Sequence, residues 1–355
     1  MKLLERARPQ ILVLQPYSSA RMEAGAAAIM LNANESPWPP VGAASALNRY
    51  PDPQPATLRA ALARLYSVAP DNVLVGRGSD EAIDLLVRAF CREGRDAVVT
   101  APPTFGMYAV AARIQGASVI EVPRGDGFVL DAQAILAAVT EATKLVFVCT
   151  PNNPTGDSVP LAVLAHLAGA LRDRAVLVVD EAYIEFGDDA QSAISLFSRH
   201  DNIAVLRTLS KAHALAAARV GALIAAGPVV ALLRRIQAPY PLPAPSIAAA
   251  LAALEPAALA DTDARIARIR GERERLAREL LALPGVIAVL ASAANFLCVR
   301  FVDAPGACRA LASAGIVVRD VGGYPGLSGC LRITVGAAQE NAALLGALGA
   351  CEAAA

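Results

Sequence analysis

Histidine is scarce in this sequence of 355 residues: there are three, His166, His200 and His213. No carboxylates or thiols gather around them at ligand spacing, so no metal centre is expected. The six cysteines, at positions 91, 149, 298, 308, 330 and 351, contain no C-x-x-C pair. That excludes the common zinc and dithiol motifs and suggests buried thiols of a reducing compartment, so a cytoplasmic location is expected. Excess charge is missing too. The 32 Lys and Arg balance the 32 Asp and Glu, and without a basic tract no nucleic-acid partner is expected. Mean hydropathy is +0.45, but alanine carries much of it. The one long uncharged window, 237–254, holds Pro239, Pro241, Pro243 and Pro245, which spoil it as a spanning helix, so no membrane segment is expected. The N-terminal stretch has Glu5, an early proline and no small-residue cleavage site after its short apolar run, so no secretory signal is expected either.

Short apolar runs separated by helical patterns fill most of the chain. Strands are expected at 72–75, 97–100, 118–122, 145–149, 175–179, 203–206 and 220–225, with helices at 57–66, 79–90, 105–115, 131–139 (started by Asp131) and 158–171 between them. Uninterrupted apolar strands spaced by helices predict an α/β fold: a mostly parallel sheet of seven strands covered on both faces. Its ligand should lie beyond the carboxyl ends of the strands. After Gly227 a proline-rich connector leads to a mostly helical stretch over 247–283, broken near Glu255-Pro256. Its crowded Arg and Glu residues fit a solvated helix with i,i+4 pairs. Short strands and helices from 285 onward predict a small α+β domain. The expected layout is an arm and part of the small domain over 1–44, a large domain over 45–245, and a linking helix with the rest of the small domain over 246–355.

The stretch Leu206–Gly221, LRTLSKAHALAAARVG, organises the functional reading. Lys211 stands where a strand gives way to a turn, in a segment with few other charges, so backbone on both sides can aim its amine. Asp180 ends another buried strand, and PNNPTG (Pro151–Gly156) follows a third. If these strands share a sheet, the three meet in one crevice. A buried aspartate needs a partner. The set suits an aldehyde cofactor: Lys211 supplies the amine, Asp180 faces a ring nitrogen, and Arg219 with Ser210 takes a phosphate. Strand alternation turns Glu181 elsewhere, which makes it structural. At Gly76-Arg77-Gly78 a strand meets a helix whose first free N–H groups, at Ser79 and Asp80, suit an anion. Arg332, on an apolar strand, and Arg319, thirteen residues earlier, offer paired guanidinium groups for a carboxylate or a phosphate monoester.

These motifs, with Leu31–Glu35, Tyr50-Pro51, GRGSDEAIDLLVRAF (Gly76–Phe90), APPTFGMY (Ala101–Tyr108), DEAYIEF (Asp180–Phe186), APYPLP (Ala238–Pro243) and SGCLRITVG (Ser328–Gly336), span nearly the whole chain. They resemble those of the fold-type I pyridoxal-phosphate enzymes and, among them, the histidinol-phosphate aminotransferase family. The resemblance implies pyridoxal 5'-phosphate as cofactor. It also implies Asn153 and Tyr183 as donors to the ring's phenolic oxygen and Phe105 stacked over the ring, where tyrosine is often found. The arm carrying Tyr17 and Asn34 would lie over the substrate, and Tyr50 would reach the cofactor phosphate of a second subunit in a homodimer. The activity implied is reversible ping-pong transfer of an amino group between histidinol phosphate and 2-oxoglutarate, with one pocket accepting both a phosphate and a carboxylate. Two departures stand out. Ala217-Ala218 replaces a usual Gly-Leu, removing the freedom for positive φ or close backbone approach, and His213 replaces a common Phe or Tyr. An aromatic-amino-acid aminotransferase and a threonine-phosphate decarboxylase are the alternatives within enzymes. A non-catalytic binding module is the alternative outside them, against which an intact Lys211 and Asp180 argue.

Overall fold

The computed structural model describes residues 2–15, 29–42, 47–188 and 190–353. Its larger sheet has seven strands: β1 (Val73–Gly76), β2 (Ala97–Thr100), β3 (Ser118–Glu121), β4 (Thr143–Cys149), β5 (Val176–Asp180), β6 (Ile203–Thr208) and β7 (Gly221–Ala225). They lie in the order β1-β7-β6-β5-β4-β2-β3. The run from β6 through β5, β4 and β2 to β3 is parallel, and β7 runs antiparallel to both of its neighbours. Successive residues of each strand feed opposite faces. Val146, Val148, Leu177, Val179 and Val205 enter one core layer; Leu145, Phe147, Val176, Val178 and Ala204 enter the other. This double burial is why the strands read as unbroken apolar runs.

Helices cover both faces, and their ends follow local chemistry. Asp131 caps the Ala132–Ala138 helix through the N–H groups of Gln133 and Ala134, at 2.9 and 3.0 Å. The helix expected from Ser158 starts at Leu161, because the residue before Pro160 is held extended and Pro160 itself has ψ 141°. The helix expected from Phe105 starts at Met107, leaving Phe105 in the preceding loop.

A second, antiparallel sheet has the order β10-β11-β9-β8, from β8 (Val286–Val289), β9 (Phe296–Phe301), β10 (Arg319–Asp320) and β11 (Cys330–Thr334). The long helix Pro256–Leu281 buries Leu276 and Leu280 against it. Along this helix Arg275 makes the expected i,i+4 pair with Glu279 at 3.0 Å, but Arg273 is buried. It donates to the carbonyls of Phe186 (2.9 Å) and Ala294 (3.0 Å), tying the loop after β5 to the segment before β9. Among the described residues no helix is long and apolar enough to cross a membrane.

Candidate active site

Three parallel strands end side by side. Cys149 of β4 is in register with Asp180 of β5, and Asp180 with Leu206 of β6. Just past these ends opens a cleft of about 210 Å³. It brings together Lys211, Asp180, Tyr183, Asn153, Phe105 and Arg332 with Ser79, Asp80, Ser210 and Arg219.

One end is built for an anion. The Ser79–Phe90 helix begins there, preceded by Gly78 at φ +81°, so its free N–H groups and the positive end of its dipole face the cleft. A Cβ on Gly78 would stand 2.7 Å from Nη2 of Arg219, and one on Gly221 would stand 2.5 Å from the Gly78 carbonyl carbon. Bare backbone at both positions lets β7 and the helix start close around Arg219. Arg219 takes φ +56° itself. Its guanidinium donates to Ser210 Oγ (3.4 Å), the Ala216 carbonyl (3.2 Å) and Asp80 Oδ2 (3.2 Å). Thr208 braces the turn by donating to Ser210 Oγ at 2.9 Å and accepting from its N–H at 3.1 Å. The positive φ values in this loop fall on Ala214 and Arg219, so Ala217-Ala218 meets no conformational demand that glycine alone could satisfy.

Asp180 marks the opposite end. It is 3% exposed, and its carboxylate accepts two hydrogen bonds, from Tyr108 Oη to Oδ2 at 2.7 Å and from the Ala182 N–H to Oδ1 at 3.1 Å. Desolvation raises its pKa to about 6 against the pull of these donors. A carboxylate in that state gains most from a cationic or N–H partner in the cleft. Lys211 lies between the two ends. It keeps solvent access, yet desolvation by the cleft walls, with the charges of Arg332 and Arg219, lowers its pKa, which favours the neutral, nucleophilic amine. Its Nζ lies 5.5 Å from the centroid of the Tyr183 ring, and that ring meets Phe296 edge to face at 5.2 Å. Burial pushes the Tyr183 phenol up, so it stays a donor.

Arg332 donates to Asn153 Oδ1 at 2.6 Å and lies over Phe296 at 5.6 Å, which aims it into the cleft. Arg319 is opposite Arg332 in the β10–β11 register. Facing residues of antiparallel strands share a sheet face with Cβ atoms about 4.5–5.5 Å apart, but Arg319 is exposed and does not line the cleft. Glu181 turns away from the cleft, as strand alternation predicts. It accepts from Arg207 (3.0 Å), Ser192 (2.6 Å) and the Ala193 N–H (2.6 Å). His213 is buried beside this group, and desolvation lowers its pKa.

Tyr50 and Asn34 do not reach this cleft. They line a separate surface groove, where Tyr50 stacks on Tyr240 at 4.4 Å and remains 48% exposed. Tyr17 lies outside the described residues. Two contributors escaped the sequence reading. Thr208 stands two residues before Ser210. Tyr108, fully buried, ends the APPTFGMY motif, and its position three residues after Phe105 was the available signal.

The whole arrangement can hold a phosphate at one end and a protonated ring nitrogen at the other, with an amine between them, so the residues present fit a phosphorylated pyridine aldehyde. Comparison with known proteins agrees. The model of the family "Aminotransferase class I and II" matches residues 19–348. A histidinol-phosphate aminotransferase of Stenotrophomonas maltophilia is 52% identical over 99% of this chain and 98% of its own length. One from Xanthomonas campestris is 53% identical over 98% and 97%. Among solved structures, the histidinol-phosphate aminotransferase of Sinorhizobium meliloti in complex with pyridoxal-5'-phosphate superposes with TM-score 0.80 at 27% identity, covering 98% of both chains. The chain belongs to the class I and II aminotransferase family and, within it, to the group that contains these histidinol-phosphate aminotransferases.

Proposed function

We infer that this aminotransferase uses pyridoxal 5'-phosphate to move an amino group reversibly between histidinol phosphate and 2-oxoglutarate, giving imidazole-acetol phosphate and glutamate, in histidine biosynthesis. The observation that carries the reading is the meeting of Lys211, Asp180 and Arg219 in one cleft of a chain that matches histidinol-phosphate aminotransferases almost end to end. Bound there, the cofactor supplies an aldehyde that exchanges amines and a ring that accepts the electron pair left when the substrate Cα–H bond breaks.

The residues divide the work. Ser210, Arg219 and the N–H groups of Ser79 and Asp80 hold the phosphate. Asp180 faces the ring nitrogen and keeps it protonated. Asn153 and Tyr183 donate to the ring's phenolic oxygen, and Phe105 covers one face. Lys211, with its lowered pKa, would take the proton from the substrate Cα and return it in the reverse direction. Arg332 takes the carboxylate of glutamate in one half-reaction and the phosphate of histidinol phosphate in the other.

Two further elements belong to this reading. Tyr50 does not line the cleft of its own chain, and Leu31, Trp38 and Val41, earlier in the same N-terminal part of the chain, are 88%, 76% and 106% exposed. A homodimer that brings Tyr50 to the partner's phosphate site accounts for both. The division into 1–44, 45–245 and 246–355 and a cytoplasmic location complete it. Glutamate-dependent amination of imidazole-acetol phosphate, compared with that of phenylpyruvate, tests the substrate. Preference for the imidazole compound is expected. Preference for phenylpyruvate would make the enzyme an aromatic-amino-acid aminotransferase, and carbon dioxide release without a keto-acid acceptor would make it a decarboxylase.

A further inference from the structure

Tyr108 lies behind the cleft, on the Met107–Ile114 helix, with no solvent exposure. A tyrosine buried that deeply must give its hydroxyl a partner, and it has chosen an acid: Oη donates to Asp180 Oδ2 at 2.7 Å. Its ring is fixed on two sides. It stacks on Phe147 of β4, with centroids 4.7 Å apart and planes 8° from parallel, and it meets Phe105 edge to face at 5.6 Å and 83°. A single rigid side chain thus touches the carboxylate at the foot of the cleft and the aromatic on its wall.

We propose that Tyr108 is a positioning residue for Asp180: its hydroxyl holds one carboxylate oxygen so that the remaining lone pairs face the cleft, and its ring locks that carboxylate and Phe105 into one unit. The proposal rests on the reading that Asp180 faces the cofactor ring nitrogen. Burial raises the Tyr108 phenol well above its ordinary range, so the hydroxyl remains a donor and an ionised Asp180 is the form it favours. The other groups facing Asp180 are the Cys149 thiol on β4, pushed up to about 12 by burial and therefore neutral, Tyr183, Lys211 after β6, and Asp80 on the Ser79–Phe90 helix. Asp80 raises the Asp180 pKa and Lys211 lowers it. Among the causes that lower it, the Tyr108 hydrogen bond is the largest.

The apo protein provides the test, because no cofactor enters the measurement. Asp180 has a raised pKa in the folded state, so its contribution to stability is complete below pH 4 and is lost as pH rises through about 6. Unfolding midpoints measured between pH 4 and 9 should show that edge in the wild type, and Asp180→Asn should abolish it. Tyr108→Phe keeps the ring and its contacts, so the edge should persist but move up by about one pH unit, tenfold in the protonation equilibrium. An edge that stays where the wild type has it would make Tyr108 a packing residue and overturn the proposal. If Tyr108→Phe fails to fold, wild-type protein with its tyrosines replaced by 3-fluorotyrosine, a stronger donor, should show the edge moved downward; an unmoved edge would again overturn it. Cofactor affinity of Asp180→Asn separates the two readings. Unchanged affinity and turnover would remove Asp180 from the cofactor site while leaving the Tyr108 edge shift intact.

Discussion

Asp180→Asn removes one charge from the foot of the cleft and leaves its shape almost unchanged. Without cofactor that charge is a cost. Burial raises the carboxyl from its ordinary 3.8 to about 6, a little over 2 pH units, and at 1.36 kcal/mol for each unit the ionised group destabilises the apo fold at neutral pH by about 3 kcal/mol. The sign follows from the raised pKa: the wild type loses stability as pH climbs from about 4 through about 6, and the asparagine variant does not. At pH 8 apo Asp180→Asn should therefore unfold several degrees higher than wild type, and at pH 4 the two should coincide. In the loaded enzyme the effect reverses. Two unit charges near 4 Å interact by about 4 kcal/mol at an effective dielectric of 20, so turnover should fall by about 10²- to 10³-fold, with cofactor still bound. Thermal scans of the apo forms across pH, beside steady-state kinetics of the loaded forms, test both halves. A variant less stable than wild type at pH 8, or one with near-normal turnover, would refute the reasoning and make Asp180 a structural cap.

Histidinol phosphate should exceed histidinol by about 30- to 5000-fold in kcat/KM, because the dephosphorylated substrate leaves the half-buried Arg332 without an anion to pair with, a loss of about 2–5 kcal/mol. Arg332→Ala should weaken both half-reactions, whereas Arg319→Ala, outside the cleft, should change neither by much; equal use of histidinol and its phosphate by the wild type would contradict the Arg332 assignment. Mixing inactive Tyr50→Ala with inactive Lys211→Ala protein should restore part of the activity, since some shared sites then hold both wild-type residues. No recovery after verified subunit exchange, or a fully active monomer in sedimentation, would count against a shared site.

Much of this was legible because the physics is local. Strands buried on both faces announce themselves as apolar runs, and a lone lysine, an aspartate at a strand end and a Gly-x-Gly before a helix are each out of place for core or surface. The antiparallel direction of β7 was not legible, because a residue pattern records burial and not the sense of pairing. The role of Tyr108 was not legible, since its hydroxyl partner lies 72 residues away in sequence. Arg273 read as a solvated charge of an exposed helix, and its carbonyl partners exist only once the two sheets are assembled. The Ala217-Ala218 departure raised a backbone question that only φ could answer, and the left-handed conformation falls on Ala214 and Arg219 instead.

The central claim is that the Lys211 amine carries the cofactor. The sequence has three lysines, Lys2, Lys144 and Lys211, and Lys144 is buried and paired with Asp96 at 3.6 Å, so one chemical experiment can separate them. The purified protein should be yellow. Borohydride reduction followed by peptide mapping should place the pyridoxyl group on Lys211 alone; label on Lys144, on Lys2 or on no peptide would contradict the account.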